Sequence, residues 1–198
     1  MLYYFLINMH QYGIQDYGSV GFEMINVAQF MAMQMPCQVY VEWFGFIQFC
    51  QDYFIGHNVP SPLVVEIGIH ANLQRPFYKQ FLNATHIGID IDNKYGEPDI
   101  LGDSRSKTTL MRLQQLLQSR DIDLLFIDGN HSYEIVKQDY ETYGPLTRHI
   151  VAFHDTLSWR GVKRFWNELL LANPEYEFVN LGATGGATTY GIGIVIKG

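Results

Sequence analysis

The sequence predicts an α/β fold, doubly wound around a mostly parallel seven-stranded sheet that ends in an antiparallel hairpin. From Leu63 onward, short apolar runs alternate with segments of helical period. The runs are apolar almost throughout, which is typical of strands that are covered on both faces. The last two runs are joined by a Gly/Thr-rich loop too short for a helix, so we expect them to pair antiparallel.

The seven predicted strands follow one another with short connections, as in an open α/β sheet. They are Leu63–Ile69, His86–Ile91, Asp99–Gly102, Asp123–Ile127, Ile150–His154, Glu177–Leu181 and Tyr190–Ile196.

Apolar residues recur at helical spacing in three of the segments between the strands. These residues are Leu110, Leu113 and Leu117, then Tyr133, Val136 and Tyr140, and finally Val162, Phe165, Trp166, Leu169 and Leu170. A further helix is expected after the first strand, because Pro76 suits the first turn of a helix.

The chain changes character near Pro60–Pro62. We interpret residues 1–60 as a mostly helical N-terminal extension that packs on an α/β domain formed by residues 61–198. Within the extension, Val39–Tyr53 is apolar nearly everywhere and predicts a buried helix. Tyr3, Tyr4 and Phe5 would either cover the functional site or form a contact between subunits.

The amino-acid composition limits the classes of binding partner that we expect for this protein. The net charge of −7 over 198 residues argues against nucleic-acid binding, which needs a basic surface. Two isolated cysteines are typical of a reducing compartment. The apolar start Met1–Ile7 is too short to span a membrane, so a cytoplasmic protein without a membrane partner is expected. The oligomeric state stays open, a homo-oligomer included.

Polar or acidic residues follow each of the first five predicted strands. Because ligands of open α/β sheets bind beyond the carboxyl ends of the strands, we expect a ligand site at this edge. These strand ends are Glu66-Ile67-Gly68, Asp90-Ile91-Asp92, Gly102-Asp103-Ser104, Asp128-Gly129-Asn130-His131 and His154-Asp155-Thr156.

The second and third strand ends suit a nucleoside. The Asp90 carboxylate could accept hydrogen bonds from both hydroxyls of a ribose, with Asp92 as the rival position and an ordinary turn or helix cap as the alternative. Asp103 could bind an adenine amino group and the Ser104 amide a ring nitrogen. Alternatively, this segment caps the helix that follows.

The segment from Ile127 to Thr156 reads IDGNHSYEIVKQDYETYGPLTRHIVAFHDT. It resembles a family of small S-adenosylmethionine (SAM)-dependent methyltransferases with an IDG-x-HSY … HD signature, which includes macrolide-sugar O-methyltransferases and proteins labelled cephalosporin hydroxylases. The resemblance spans roughly Val64–Lys197, and the EIG, GIDID and GDS segments extend it. It implies a Rossmann-like methyltransferase fold, SAM as cofactor and methyl transfer to the hydroxyl of a small molecule.

The resemblance also implies roles for individual residues. A divalent metal, usually Mg²⁺ in such relatives, would be held by Asp128 and Asp155 with His154 beside them. Since His154 stands where some relatives have an acidic residue, Mg²⁺, another ion or no metal all stay open. The cofactor-binding residues would be Glu66, Gly68, Asp90, Asp103, Ser104 and Asp128.

His131 is the predicted catalytic base, acting together with Asp128, because imidazole exchanges protons near neutral pH. Both His131 and His154 have a structural alternative, in which the ring only pins the loop after a strand. Trp159 would line the acceptor pocket or belong to the core.

The loop after the first strand departs from the family, because it has the single glycine Gly68 between Glu66 and Pro76. We expect this loop to take a different path, with Asn72 adopting a positive φ. Two other functions therefore stay open: a degenerate methyltransferase fold that binds a ligand or partner without catalysis, and a SAM-independent metal-dependent enzyme such as a hydrolase. A nicotinamide enzyme fits the loop and the hairpin poorly.

Overall fold

A seven-stranded sheet with helices on both faces forms the centre of the computed structural model, which describes residues 25–182 and 189–197. The strands are β1 (Leu63–Ile67), β2 (Thr85–Asp90), β3 (Ile100–Leu101), β4 (Ile122–Ile127), β5 (Thr147–His154), β6 (Glu177–Leu181) and β7 (Ile192–Ile196). The helices are α1 (Val27–Met31), α2 (Tyr40–Gly56), α3 (Arg75–Leu82), α4 (Lys107–Leu117), α5 (Tyr133–Tyr143) and α6 (Arg160–Ala172), and a 3₁₀ turn spans Gly144–Leu146.

The strand order is β3-β2-β1-β4-β5-β7-β6. Strands β1 to β5 pair in parallel, whereas β7 lies antiparallel between β5 and β6. The predicted fold class, including the antiparallel pairing of the last two strands, is therefore confirmed. This order brings the carboxyl ends of β1, β2, β4 and β5 to one edge of the sheet.

Two apolar layers bury the faces of the sheet. Side chains alternate along β1, so Val64 packs with α2 and α3, while Val65 and Ile67 pack with α4, α5 and α6. Both faces of the strands are covered, which explains why their sequences lack polar alternation.

Helix α2 confirms the buried helix that the sequence predicts over Val39–Tyr53. Its Trp43 is fully buried and contacts the rings of Phe77, Tyr78 and Phe126, the last of which lies on β4. None of the described helices is long and apolar enough to cross a membrane. Tyr3, Tyr4 and Phe5 lie outside the described residues.

Strand β6 has the predicted bounds, and the other six strands differ from prediction by one to three residues at one or both ends. Strand β1 ends at Ile67 instead of Ile69, because Gly68 turns the chain with a φ of +86°. A Cβ on Gly68 would lie 2.4 Å from the carbonyl oxygen of Asp128, so only glycine fits this turn. Strand β7 begins at Ile192 instead of Tyr190.

Candidate functional site

A cavity of about 620 Å³ lies at the carboxyl edge of the sheet, where the sequence predicts a ligand site. It extends from the loop after β3, past the ends of β2 and β1, to the ends of β4 and β5. Its wall includes Gln38, Gly68, His70, Asp90, Asp92, Asp103, Ser104, Arg105, Asp128, His131, Asp139, His154, Asp155, Trp159 and Tyr190.

At one end of the cavity, Asp103 forms an ion pair with Arg105 and accepts a hydrogen bond from the Arg105 backbone N–H at 2.9 Å. Hydrogen bonds from Arg105 lower the pKa of this carboxyl. The capping alternative for this segment is wrong, because Ser106 caps α4 by accepting from the Thr109 N–H at 3.1 Å. Asp103 and Ser104 are thus left at the cavity wall.

Asp90 and Asp92 both line the middle of the cavity. One oxygen of Asp90 accepts from the backbone N–H of His70 at 3.0 Å, and the other accepts from the backbone N–H of Asp92 at 3.2 Å. Asp92 accepts from the N–H of Lys94 at 3.0 Å. Asp90 therefore ties the loop after β1 to the end of β2.

The loop after β1 takes a path that depends on left-handed residues other than glycine. Asn72 has a φ of +57°, as predicted, and His70 has a φ of +47°. Asparagine tolerates this region better than most residues, whereas histidine needs support from its surroundings. His70 has it, since its N–H is bound to Asp90 and its ring lies 4.6 Å from that of Tyr95.

Glu66 is fully buried and is not among the described residues that line the cavity. Its carboxyl lies 2.8 Å from Nε2 of His86. Burial raises the pKa of Glu66 and lowers that of His86 to about 3, so both groups are favoured in their neutral forms. When both groups are neutral, the tautomer of His86 decides which of the two donates the hydrogen bond.

Asp155 is the centre of the other end of the cavity. Its carboxylate lies 2.8 Å from Nε2 of His131 and 3.1 Å from Nδ1 of His154, and it accepts from the Ser158 hydroxyl at 2.6 Å. Burial opposes its charge, but these hydrogen bonds outweigh burial and hold the pKa of Asp155 well below its usual range. Its backbone is left-handed, with a φ of +65°, a conformation that concentrates at functional sites.

Asp128 shares a histidine with Asp155. Nδ1 of His154 lies 3.0 Å from Asp128 Oδ1 and 3.1 Å from Asp155 Oδ2. Burial alone would lower the pKa of His154, but the two carboxylates outweigh it and raise the pKa to about 10. The charged ring then joins two acidic groups that would otherwise repel each other.

Three side chains at this end have the composition of a metal site. One donor atom each from Asp128, His131 and Asp155 lies within 4.8 Å of the others. Two carboxylates and an imidazole suit a divalent ion. Nδ1 of His154, a further predicted ligand, lies within 3.1 Å of an oxygen of each carboxylate.

Trp159 and Tyr190 complete this end of the cavity. The Trp159 ring stacks on His131 at 4.7 Å with an interplanar angle of 11°, and half of its surface is exposed. The Tyr190 ring lies 5.8 Å from that of His154. Of the alternatives for Trp159, the pocket wall is therefore correct.

Sequence reasoning missed Gln38, Tyr190 and Asp139 as parts of the cavity. Gln38 lies 90 positions before its partner Asp128, and no spacing pattern links the two. Asp139 is buried on α5 beside the loop after β3, and burial raises the pKa of its carboxyl to about 6. An acidic residue on the buried side of a predicted helix was the available signal for Asp139.

Residues 83–156 match the sequence model of a family described as a methyltransferase domain. An uncharacterised protein, y4gI, of Sinorhizobium fredii (strain NBRC 101917 / NGR234) is 37% identical over 67 residues, which cover 31% of this chain and 7% of that protein.

Several solved structures share the fold. The MycE methyltransferase of the mycinamycin biosynthetic pathway, in complex with Mg, S-adenosylhomocysteine (SAH) and mycinamycin VI, superposes with a TM-score of 0.57 at 15% identity, over 85% of this chain and 52% of MycE. An O-methyltransferase from Bacillus cereus in complex with SAH superposes with a TM-score of 0.54 at 16% identity, over 86% of each chain. TomG from Streptomyces achromogenes, in complex with SAM, gives 0.52 at 13% identity, over 77% of this chain and 79% of TomG.

This chain thus spans about half the length of MycE and a small part of the curated relative. The match in sequence extends from the residue after α3 to the loop after β5, and the structural matches cover 77% to 86% of this chain. The resemblance seen in the sequence is confirmed at the level of the fold: this chain has the Rossmann-like fold of the class I SAM-dependent methyltransferases, and its residues 83–156 match the sequence model of a methyltransferase domain.

Proposed function

We propose that this protein is a SAM-dependent O-methyltransferase that acts on a small hydroxylated molecule with the help of a divalent metal ion. The acid-lined cavity at the carboxyl edge carries this proposal. Six aspartates line it, and Arg105 is the one lysine or arginine among the described lining residues. Because Arg105 is paired with Asp103, the cavity favours a cationic ligand such as SAM and disfavours phosphate-bearing cofactors.

The binding roles follow the length of the cavity. Asp103 and Ser104 would bind the adenine, Asp90 the ribose, and the backbone around Gly68 the amino-acid end of SAM. The methyl group would then lie near Asp128 and His131. The bound metal ion, held by the carboxylates of Asp128 and Asp155, would supply positive charge that stabilises a deprotonated acceptor oxygen.

His131 would remove the acceptor's proton. When Nε2 of His131 donates its hydrogen to Asp155, Nδ1 has a free electron pair for the hydroxyl proton. Trp159 holds the imidazole plane by stacking and presents its exposed surface to the acceptor. Methyl transfer itself depends mainly on holding the acceptor oxygen in line with the methyl–sulfur bond.

Isothermal titration of the protein with SAH, with and without Mg²⁺, tests this proposal. We expect micromolar binding of SAH and a detectable affinity for Mg²⁺. Asp155→Ala should abolish Mg²⁺ binding, because it removes one of two carboxylate ligands. Asp121→Ala, at an exposed position before β4, is the matched control and should bind Mg²⁺ as the wild type does.

The cluster of Asp128, His131 and Asp155 also favours a second candidate, a metal-dependent enzyme that uses no SAM. Mg²⁺ binding without SAH binding would select this candidate. Absence of both would instead favour a fold that binds another ligand or partner without catalysis.

A further inference from the structure

The segment that precedes α2 forms one wall of the cavity. Pro36, Cys37 and Gln38 all line it, although they lie outside the methyltransferase-domain segment. Gln38 is 9% exposed and donates a hydrogen bond from Nε2 to Oδ2 of Asp128 at 2.8 Å. A residue from the N-terminal part of the chain thus contacts one of the central acids of the site.

The chemistry of the two groups sets the orientation of the Gln38 amide. An ionised carboxylate accepts hydrogen bonds only, so the NH₂ group must face Asp128. Asp128 is then held at both oxygens, by His154 at Oδ1 and by Gln38 at Oδ2. Rotation of the carboxylate would break at least one of these bonds.

The first turn of α2 anchors the same segment to the opposite side of the cavity. Glu42 is buried and accepts hydrogen bonds from the Thr189 hydroxyl and from the backbone N–H groups of Tyr190 and Gly191, the latter two at 3.3 and 3.2 Å. Tyr190 lines the cavity next to His154. Four residues apart, Gln38 and Glu42 therefore hold both sides of the site.

We propose that Gln38 is a positioning residue, which orients the Asp128 carboxylate for the divalent ion. This inference rests on the proposed function, since it concerns the same metal site. Hydrogen-bond partners behind metal ligands typically change metal affinity by 10-fold to 100-fold when removed, because the ligand loses its orientation. Gln38 is such a partner, supplied by a segment that the family match does not include.

Gln38→Met tests the hydrogen bond, because methionine has a similar shape and donates nothing. Gln51→Met is the matched control. Gln51 lies on α2, donates from Nε2 to the Phe81 carbonyl at 3.0 Å, and does not line the cavity. Mg²⁺ is titrated into each variant saturated with SAH, and melting temperatures are measured in parallel.

The expected result is about tenfold or weaker affinity for Mg²⁺ in Q38M than in the wild type, with Q51M unchanged. If Q38M lowers the melting temperature more than Q51M does, the Mg²⁺ titration is repeated with Gln38→Asn instead of Q38M. Its amide is one methylene shorter and cannot reach Asp128, so the same loss of affinity is expected.

Equal Mg²⁺ affinity in the wild type and both Gln38 variants would overturn the inference and leave the proposed function intact. A wild type that binds SAH but no Mg²⁺ would overturn the inference together with the metal step. A wild type that binds neither would overturn the proposed function itself.

Discussion

At the residue scale, Asp90 lines the cavity and also accepts a hydrogen bond from the backbone N–H of His70. Asp90→Ala is expected to weaken SAH binding by about 1–3 kcal/mol, because hydrogen-bonding groups of the ligand and of the loop after β1 lose their partner. Isothermal titration measures the change. Asp92→Ala is the comparison, and a loss there with no loss in D90A would assign the ribose to the rival carboxylate.

Asp139 predicts a dependence of stability on pH. Burial raises the pKa of its carboxyl to about 6 from the ordinary 3.8, against the opposing influence of the Ser104 hydroxyl and Arg105. Between about pH 4 and pH 6 the folded protein keeps a proton that the unfolded chain loses, so stability falls as pH rises through this interval. The slope is at most about 1.4 kcal/mol per pH unit.

Asp139→Asn mimics the protonated carboxyl and removes this dependence. The melting temperature of D139N minus that of the wild type should therefore be larger at pH 7.5 than at pH 4. Glu134→Gln, on the exposed part of the same helix, is the control and should show the same difference from the wild type at both pH values. A D139N difference that does not change with pH would contradict the assignment.

At the scale of elements, α2 is part of the core and not a surface addition. Trp43→Ala should lower the free energy of unfolding by about 3–5 kcal/mol, because the ring is fully buried against α3 and β4 and leaves a cavity. Chemical denaturation measures the loss. Val41→Ala, at a position 39% exposed on the same helix, should change stability much less.

The sequence predicts that α2 exists, but it does not predict that residues at the start of this helix contact the functional site. A run of apolar residues predicts burial without naming the partner surface. Gln38 and Glu42 read as ordinary polar positions at the start of a helix. Their partners, Asp128 and the chain near Tyr190, are far away in sequence, so only the packing of α2 on the sheet reveals them.

At the scale of the whole molecule, we predict that residues 61–198 alone do not fold stably. Without α2, the face of the sheet that carries Val64, Phe126 and Ala152 would lose much of its cover and expose a large apolar surface. Circular dichroism and thermal melting of this fragment beside the full chain test the prediction. A fragment that melts at the temperature of the full chain would show that the extension is dispensable.

The sequence by itself determined the sheet, its approximate strands and the edge that carries the site. Local periodicity and strand-end residues depend on neighbours in the chain, and parallel strands with short crossovers bring their ends together. This reasoning predicted Asp90, Asp103, Asp128 and Asp155, all of which line the cavity, and the family signature added the suggestion of SAM.

Only the tertiary structure decided how these residues are paired. It placed Glu66 against His86, and it placed His154 between the carboxylates of Asp128 and Asp155. It also brought Gln38 to Asp128 across 90 positions of chain. Such contacts depend on side-chain directions and long-range packing, which no local pattern contains.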